Sequence, residues 1–137
     1  SEGKAFAAIL VDVDFFKKYN DFYGHQAGDR CLILVANVLN DTLKPLNASV
    51  GRYGGEEFGI VLTNTNGDGA CVFAERLRTT IEKLTIYTEG HEINFTVSLG
   101  VAELTDKIHD HRNWIERADQ ALYKSKESGR NKCTMLP

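Results

Sequence analysis

The chain has 137 residues, a formal net charge of −3, 42% hydrophobic residues and 26% charged residues. That length suits one domain with a real core, and the composition is that of an ordinary globular protein. The acidic balance argues against a broad footprint on a nucleic-acid polymer or an anionic membrane, and no apolar run nears the roughly 18 residues of a bilayer span.

In chain order, "AFAAILVDV" is a continuous apolar run, suited to a strand buried on both faces and ending in Asp12 and Asp14. "FFKKYNDFYGHQAGD" reads as a polar and aromatic loop or short helix. "DRCLILVANVLNDTLK" predicts a helix, with Leu32, Val35, Leu39 and Leu43 at helical spacing and Pro45 as its stop. "ASVGRY" and "EEFGIVLTN" predict two strands around Gly54 and Gly55, a pair able to take positive φ in a tight hairpin. "NTNGDGA" is read as a loop. "CVFAERLRTTIEKL" predicts an amphipathic helix, with Val72, Arg76 and Thr79 along one face. "INFTVSLGVAEL" predicts a strand, "RNWIERADQALYKSKES" a helix closed by Gly129, and "KCTML" a last edge strand. His91, His109 and His111 read as surface residues, and Trp114 and Tyr123 as packing residues. No repeat, linker or low-complexity segment interrupts this pattern. Cys31, Cys71 and Cys133 match neither a disulfide framework nor a zinc spacing, and no signal-peptide pattern opens the chain, which suits a reducing cytoplasm.

The order β-α-β-β-α-β-α-β opens like a ferredoxin-like unit, so the fold class is α+β: a palm-type antiparallel sheet flanked by helices. In that topology the first strand lies antiparallel to the third. Asp12 and Asp14 then meet Glu56 and Glu57 of the hairpin at one edge. Gathered carboxylates repel unless some are protonated or a cation joins them. Hard oxygen ligands favour Mg²⁺ or Mn²⁺ beside substrate phosphates, an arrangement that serves phosphoryl or nucleotidyl transfer. A solvated hairpin tip beside a strand end fits the same spacing, and spacing alone leaves both readings open.

Three blocks, "DVDFFKKYNDFYGHQAGD", "RYGGEEF" and "ALYKSKESGRN", together resemble the GGDEF domain of diguanylate cyclases, in a GGEEF form, from about Ala7 to Asn131. The resemblance implies one catalytic domain over residues 1–137, excised from a larger multidomain signalling protein with an upstream sensory domain. It implies a cytoplasmic domain without membrane contact of its own, although the parent protein could be membrane-anchored. The implied reaction joins two GTP molecules into cyclic di-GMP and releases two pyrophosphates, at the interface of a homodimer. Implied metal ligands are Asp12, Glu56 and the Val13 carbonyl, holding Mg²⁺ or Mn²⁺ with two ions per half-site. Asp14 is matched to a support for the second ion. Glu57 is matched to deprotonation of the 3′-hydroxyl, and Asp12, Glu56 and Glu57 form the catalytic set.

Guanine recognition is implied for Asn20 and Asp29 with His25 nearby, while by pattern alone Asp29 reads as a helix N-cap and Asn20 as a loop turn. Phosphate contacts are implied for the turn with Phe15, Phe16 and Lys17, for Gly54 and Gly55, and for Lys126 and Arg130. By position alone, those last two cations would merely complement a helix dipole.

Two departures stand out. The family's Arg-x-x-Asp product-inhibition window reads Pro45-Leu46-Asn47-Ala48 here, which predicts no tight feedback site and leaves Arg76 or Arg78 for any secondary contact. The family's leading Asp-x-Leu-Thr helix has no counterpart. Rival readings are a catalytically weak or inactive module that binds GTP or cyclic di-GMP, and another palm-type enzyme. A template-dependent polymerase would need a basic track that this chain lacks.

Overall fold

The structure is a computed structural model, described over residues 5–46, 48–88, 90–104 and 111–137. β1 (Phe6–Val13) leads through α1 (Phe16–Tyr23) and α2 (His25–Leu43) to β2 (Ala48–Arg52) and β3 (Glu57–Thr63). α3 (Gly67–Glu82), β4 (Ile86–Thr88), β5 (His91–Ile93), β6 (Val97–Leu104), α4 (His111–Glu127) and β7 (Cys133–Met135) complete the chain. The central sheet has five strands in the order β2-β3-β1-β6-β7, and β4 and β5 form a separate hairpin. β1 is antiparallel to both β3 and β6, whereas β7 joins β6 in parallel, so the sheet is mixed rather than wholly antiparallel.

β1 lies at the centre because its residues are apolar on both faces. Ala7, Ile9, Val11 and Val13 enter the larger core, with Val35 and Leu39 of α2 and Ala74 and Leu77 of α3. Ala8 and Leu10 point the other way, onto Trp114, Ala118 and Leu122 of α4. α4 is fastened to the sheet by polar contacts as well. The Trp114 indole N–H donates to the Ala102 carbonyl at 3.2 Å, and the Ser125 hydroxyl donates to the Leu99 carbonyl at 2.8 Å. The expected packing of Trp114 therefore holds, but Tyr123 is 58% exposed and packs against nothing comparable.

The spacing of Leu32, Val35, Leu39 and Leu43 is borne out, since all four are buried on α2. α2 nevertheless begins at His25, four residues earlier than the pattern suggested, with Gly24 as its N-cap. Asp29 thus lies inside a helix and caps nothing. α3 starts at Gly67, inside the expected loop, because the Asn66 side chain accepts the Gly69 amide at 2.8 Å and nucleates the first turn. Its buried face is Ala70, Ala74, Leu77 and Ile81. Val72 is 59% exposed and Arg76 is exposed too, so the face expected from Val72, Arg76 and Thr79 is turned outward.

The hairpin turn also departs from expectation. Positive φ among the described glycines is confined to Gly24, Gly90 and Gly129, so Gly54 and Gly55 do not adopt it. The β4–β5 hairpin was not anticipated, because strands of three residues show no periodicity; Ile86 and Ile93 are its buried anchors. Of the three histidines, His91 is exposed as expected, His109 lies outside the described residues, and the His111 side chain is likewise not described.

Gly100 on β6 is required by close approach of α4. A Cβ there would meet the Ala118 carbonyl oxygen at 2.2 Å and the Leu122 amide nitrogen at 2.3 Å. Both are backbone atoms and cannot swing aside. Gly100→Ala is expected to lower the unfolding free energy by roughly 1–3 kcal/mol or more, read as a fall in the urea midpoint at unchanged m-value.

Candidate active site

The register of β1 with β3 sets Asp12 directly across from Glu57, and the Val13 amide donates to the Glu56 carbonyl at 3.4 Å. Glu56 lies in the turn and Glu57 opens β3, so Asp12 meets the hairpin acids as expected. Asp12 is only 2% exposed. Its Oδ2 accepts from the Lys126 ammonium, while Oδ1 is buried and finds no partner among the described residues. Burial pushes the Asp12 carboxyl above its ordinary range, Lys126 opposes this, and the charges of Glu56 and Asp14 add to the rise. Glu57 is raised too, by burial first and then by the charges of Asp12 and Asp119.

Asp14 has a different environment. Its Oδ1 accepts from the Ser98 hydroxyl at 2.6 Å, and its Oδ2 accepts from the Thr96 hydroxyl at 2.7 Å and the Asn131 amide at 3.0 Å. Both Asp14 oxygens are engaged inside the protein, whereas Asp12 keeps one without a partner among the described residues.

Past Asp14, Phe15 adopts a left-handed conformation (φ 56) and opens α1, whose first turn no side chain caps. The amides of a first turn lack intrahelical acceptors, so Phe16, Lys17 and Lys18 present an anion-holding surface. Lys17 is exposed, while the Phe16 ring turns inward and stacks 6.4 Å from Tyr19. Arg130 lies with its guanidinium carbon 4.5 Å from the centre of the Phe15 ring, and the Lys18 ammonium is 5.4 Å from that same centre. Lys126 and Arg130 thus border the acids and the α1 turn from one side.

On the other side, the Asn20 amide nitrogen is 2.9 Å from His25 Nδ1. Gly28 makes this possible, since a Cβ there would fall 2.2 Å from Asn20 Oδ1. Asp29 lines a cleft with Leu32, Ile33, Ala36, Arg52 and Phe58. The Arg52 guanidinium also donates to the carbonyls of Gly54 and Gly55, so this cleft is continuous with the hairpin turn. A Cβ on Gly55 would meet nothing within 4 Å, and on Gly54 only Glu57 Cβ at 3.7 Å. Neither glycine is demanded by backbone strain or internal crowding, and both keep the space before the turn open.

Among the described residues, no three His, Cys, Asp or Glu side chains converge into a ready-made cation cage. Asp12 Oδ1, orphaned in a buried acidic corner, is the atom that a divalent ion would satisfy. One or two carboxylates plus the Val13 carbonyl form a donor set for Mg²⁺ that completes its shell with phosphate oxygens and water. The residues present fit such an ion.

The family model described as "Diguanylate cyclase, GGDEF domain" matches residues 1–132. The chain belongs to the diguanylate cyclase GGDEF family. Diguanylate cyclase A of Treponema denticola is 42% identical over 127 residues, which are 93% of this chain and 34% of that protein. Probable diguanylate cyclase DgcT of Escherichia coli is 36% identical over 93% of this chain and 28% of its own length. This GGDEF domain therefore spans about a third of the curated relatives it matches. The active GGEEF domain of a diguanylate cyclase from Vibrio cholerae superposes with a TM-score of 0.91 at 34% identity, over 98% of this chain and 84% of that one. The GGDEF domain of DgcB from Caulobacter crescentus, solved with c-di-GMP, gives 0.91 at 32% identity, covering 97% and 78%. The α+β fold with its mixed, palm-like sheet is that of these structures.

Sequence reasoning did not single out several residues that surround these groups. Leu32 and Phe58 counted only as core or strand positions, Thr96 and Ser98 carried no signal until Asp14 was located, and Asn131 closed a matched block without a role of its own. Of the two arginines kept for a secondary contact, Arg78 is bound to Glu75, Glu82 and Asn131, and Arg76 lines an open cleft beside Cys71, Val72 and Cys133. The feedback window includes Asn47, outside the described residues.

Acids whose folded pKa is raised give their full stabilising contribution below the ordinary carboxylate range and lose it as pH rises through the raised values. Raising the pH from the ordinary carboxylate range upward through the raised values should therefore remove the contribution of Asp12 and Glu57 and lower the thermal midpoint. Saturating Mg²⁺ should raise the midpoint more at the higher pH, and Asp12→Asn should remove most of that rise. Differential scanning fluorimetry with and without Mg²⁺ checks the sign.

Proposed function

We propose that this domain is a diguanylate cyclase half-site, condensing two GTP into cyclic di-GMP and two pyrophosphates with Mg²⁺ or Mn²⁺, across a two-fold dimer. The observation that carries the reading is the buried, half-partnered Asp12 facing Glu57, with Lys126 and Arg130 alongside. The names of similar proteins, diguanylate cyclases among them, point the same way.

Asp12, Glu56 and the Val13 carbonyl would hold the cation, which when bound neutralises phosphate charge and lowers the pKa of an attacking hydroxyl. Lys126, Arg130 and the uncapped amides of α1 would bind and orient the triphosphate. Lys126 must leave Asp12 for this, so its present ion pair is the resting contact that substrate replaces. Asn20 and Asp29 would meet the guanine edge, Asp29 accepting from N1–H and the exocyclic amine, with Leu32 and Phe58 as apolar walls. A site built around those hydrogen bonds disfavours adenine, whose edge would leave them unpaired.

In each transfer, the 3′-oxygen of one nucleotide forms a bond to the α-phosphorus of the other. The bond from that phosphorus to the β-bridging oxygen breaks, pyrophosphate leaves, and the hydroxyl proton passes to a Glu57 carboxylate oxygen. A partly buried acid with a raised pKa is a stronger proton acceptor than an ordinary carboxylate. Two such transfers close the ring. One half-site presents one nucleotide, so the second must arrive on a second copy related by two-fold symmetry. The parent protein's further domains would then act by raising the effective concentration of that encounter.

Incubation with GTP and Mg²⁺ followed by product mass detection tests the reaction. Cyclic di-GMP is the expected product; cyclic GMP, or no product at any protein concentration, would overturn the reading. Glu57→Ala should cut turnover by at least about a hundredfold while GTP still binds. Asn20→Ala should mainly weaken the preference for GTP over ATP. Turnover should rise faster than linearly with protein concentration, and strict proportionality would exclude encounter-limited dimerisation.

A further inference from the structure

Beyond α4, three consecutive residues take left-handed backbone conformations: Gly129 (φ 118), Arg130 (φ 64) and Asn131 (φ 48). Glycine does so freely, but residues with a Cβ do not, and two in succession persist only where their surroundings over-determine them. The surroundings here are specific. The Arg130 amide donates to the Ser125 carbonyl at 2.9 Å, and the Asn131 amide donates to Asp14 Oδ2 at 3.0 Å. The Asn131 side chain bridges α3, accepting from Arg78 Nη1 at 2.9 Å and donating to Glu82 Oε2 at 2.6 Å. One residue later the Lys132 carbonyl accepts the Leu99 amide at 2.9 Å, and the sheet resumes.

We infer that Asp14 and Asn131 are positioning residues for nucleotide triphosphate binding, acting by locking the Gly129–Lys132 strap so that Arg130 is held over Phe15. This rests on the proposed role of Lys126 and Arg130 as phosphate ligands. It separates the two acids of "DVD" by function. Asp12 keeps an unpartnered oxygen for a cation, whereas both Asp14 oxygens are engaged, by Thr96, Ser98 and Asn131, and Asp14 serves as the fixed post of the strap. The strap is also the link through which α3 bears on the site, because Arg78 and Glu82 grip the same asparagine. A carboxylate accepting three hydrogen bonds is a strong anchor, and removing it loosens a segment in which Arg130 has no intrinsic preference for its conformation.

Four proteins are compared: the unchanged domain, Asp14→Ala, Asp14→Asn and Asn131→Ala. Asn131→Ala leaves the Asp14 carboxylate in place while losing the ties to α3 and setting alanine at φ 48, so it remains informative if Asp14→Ala does not fold. Binding of a non-hydrolysable GTP analogue with Mg²⁺ is measured by calorimetry, exchange of the Asn131 amide by NMR, and KM, kcat and Mg²⁺ half-saturation by turnover. Asp14→Ala is expected to weaken analogue binding and raise KM about tenfold, with kcat and Mg²⁺ half-saturation within about twofold. Amide exchange at Asn131 should accelerate at least about tenfold. Asp14→Asn, which retains one acceptor for the amide, should recover part of each loss, and Asn131→Ala should show the smaller effect.

The inference is overturned if Mg²⁺ half-saturation rises while analogue affinity at saturating Mg²⁺ is unchanged, which would make Asp14 a cation ligand. It is also overturned if exchange accelerates with affinity unmoved in every variant. If the unchanged domain binds the analogue and the variants weaken it, yet no cyclic di-GMP forms, the cyclase reading fails and the positioning role stands.

Discussion

The structure depends on the central position of β1 between two antiparallel neighbours. An apolar strand buried on both faces has nowhere to place a charge except at its end, and Asp12 is that end. The register then sets it against Glu57 on one side and Ser98 on the other. A carboxylate so enclosed is poorly solvated, and the raised pKa values of Asp12 and Glu57 express that cost. Lys126 offsets part of it, and the orphaned Asp12 Oδ1 marks what remains. The same burial that makes this corner unfavourable when empty makes it suited to a divalent ion with phosphate oxygens.

Around this corner Lys126 comes from the last turn of α4, whereas Arg130 is delivered by a backbone device. Phe15, Arg130 and Asn131 all take left-handed conformations without being glycine, and they lie together: Arg130 over the Phe15 ring, Asn131 on the carboxylate of Asp14. Strained backbone of this kind clusters where geometry matters more than stability. The hydroxyls of Thr96 and Ser98, which hold Asp14, belong to the start of β6 and the residue before it. The central strands therefore fix both the acidic corner and the segment that brings positive charge to it.

Much of this was legible in the sequence. The continuous apolar run identified β1, the four-residue rhythm of Leu32, Val35, Leu39 and Leu43 identified α2, and the glycine at 129 closed α4. These are features of local period and local backbone freedom. Other features failed for equally physical reasons. Val72, Arg76 and Thr79 define a regular stripe on α3, but the small residues Ala70 and Ala74 let that helix settle closely on the sheet, and periodicity alone cannot tell which stripe is covered. Asp29 resembles a helix cap until Gly24 takes that place. Gly54 and Gly55 suggest positive φ, yet what they contribute is open space before the turn.

By itself, the sequence determined the element order, the buried strand, and the kinds of chemistry available: acids at a strand end and a hairpin, cations near the close of the last helix. Those follow from side-chain type and short-range periodicity. Only the tertiary structure decided which acid keeps an unpartnered oxygen and which has both oxygens engaged. Asp12 and Asp14 stand two residues apart in similar local settings, and their difference comes from Thr96, Ser98, Lys126 and Asn131, all more than eighty positions away along the chain. Solvation and hydrogen-bond saturation are properties of what surrounds a group, and here the surroundings exist only once the chain has folded.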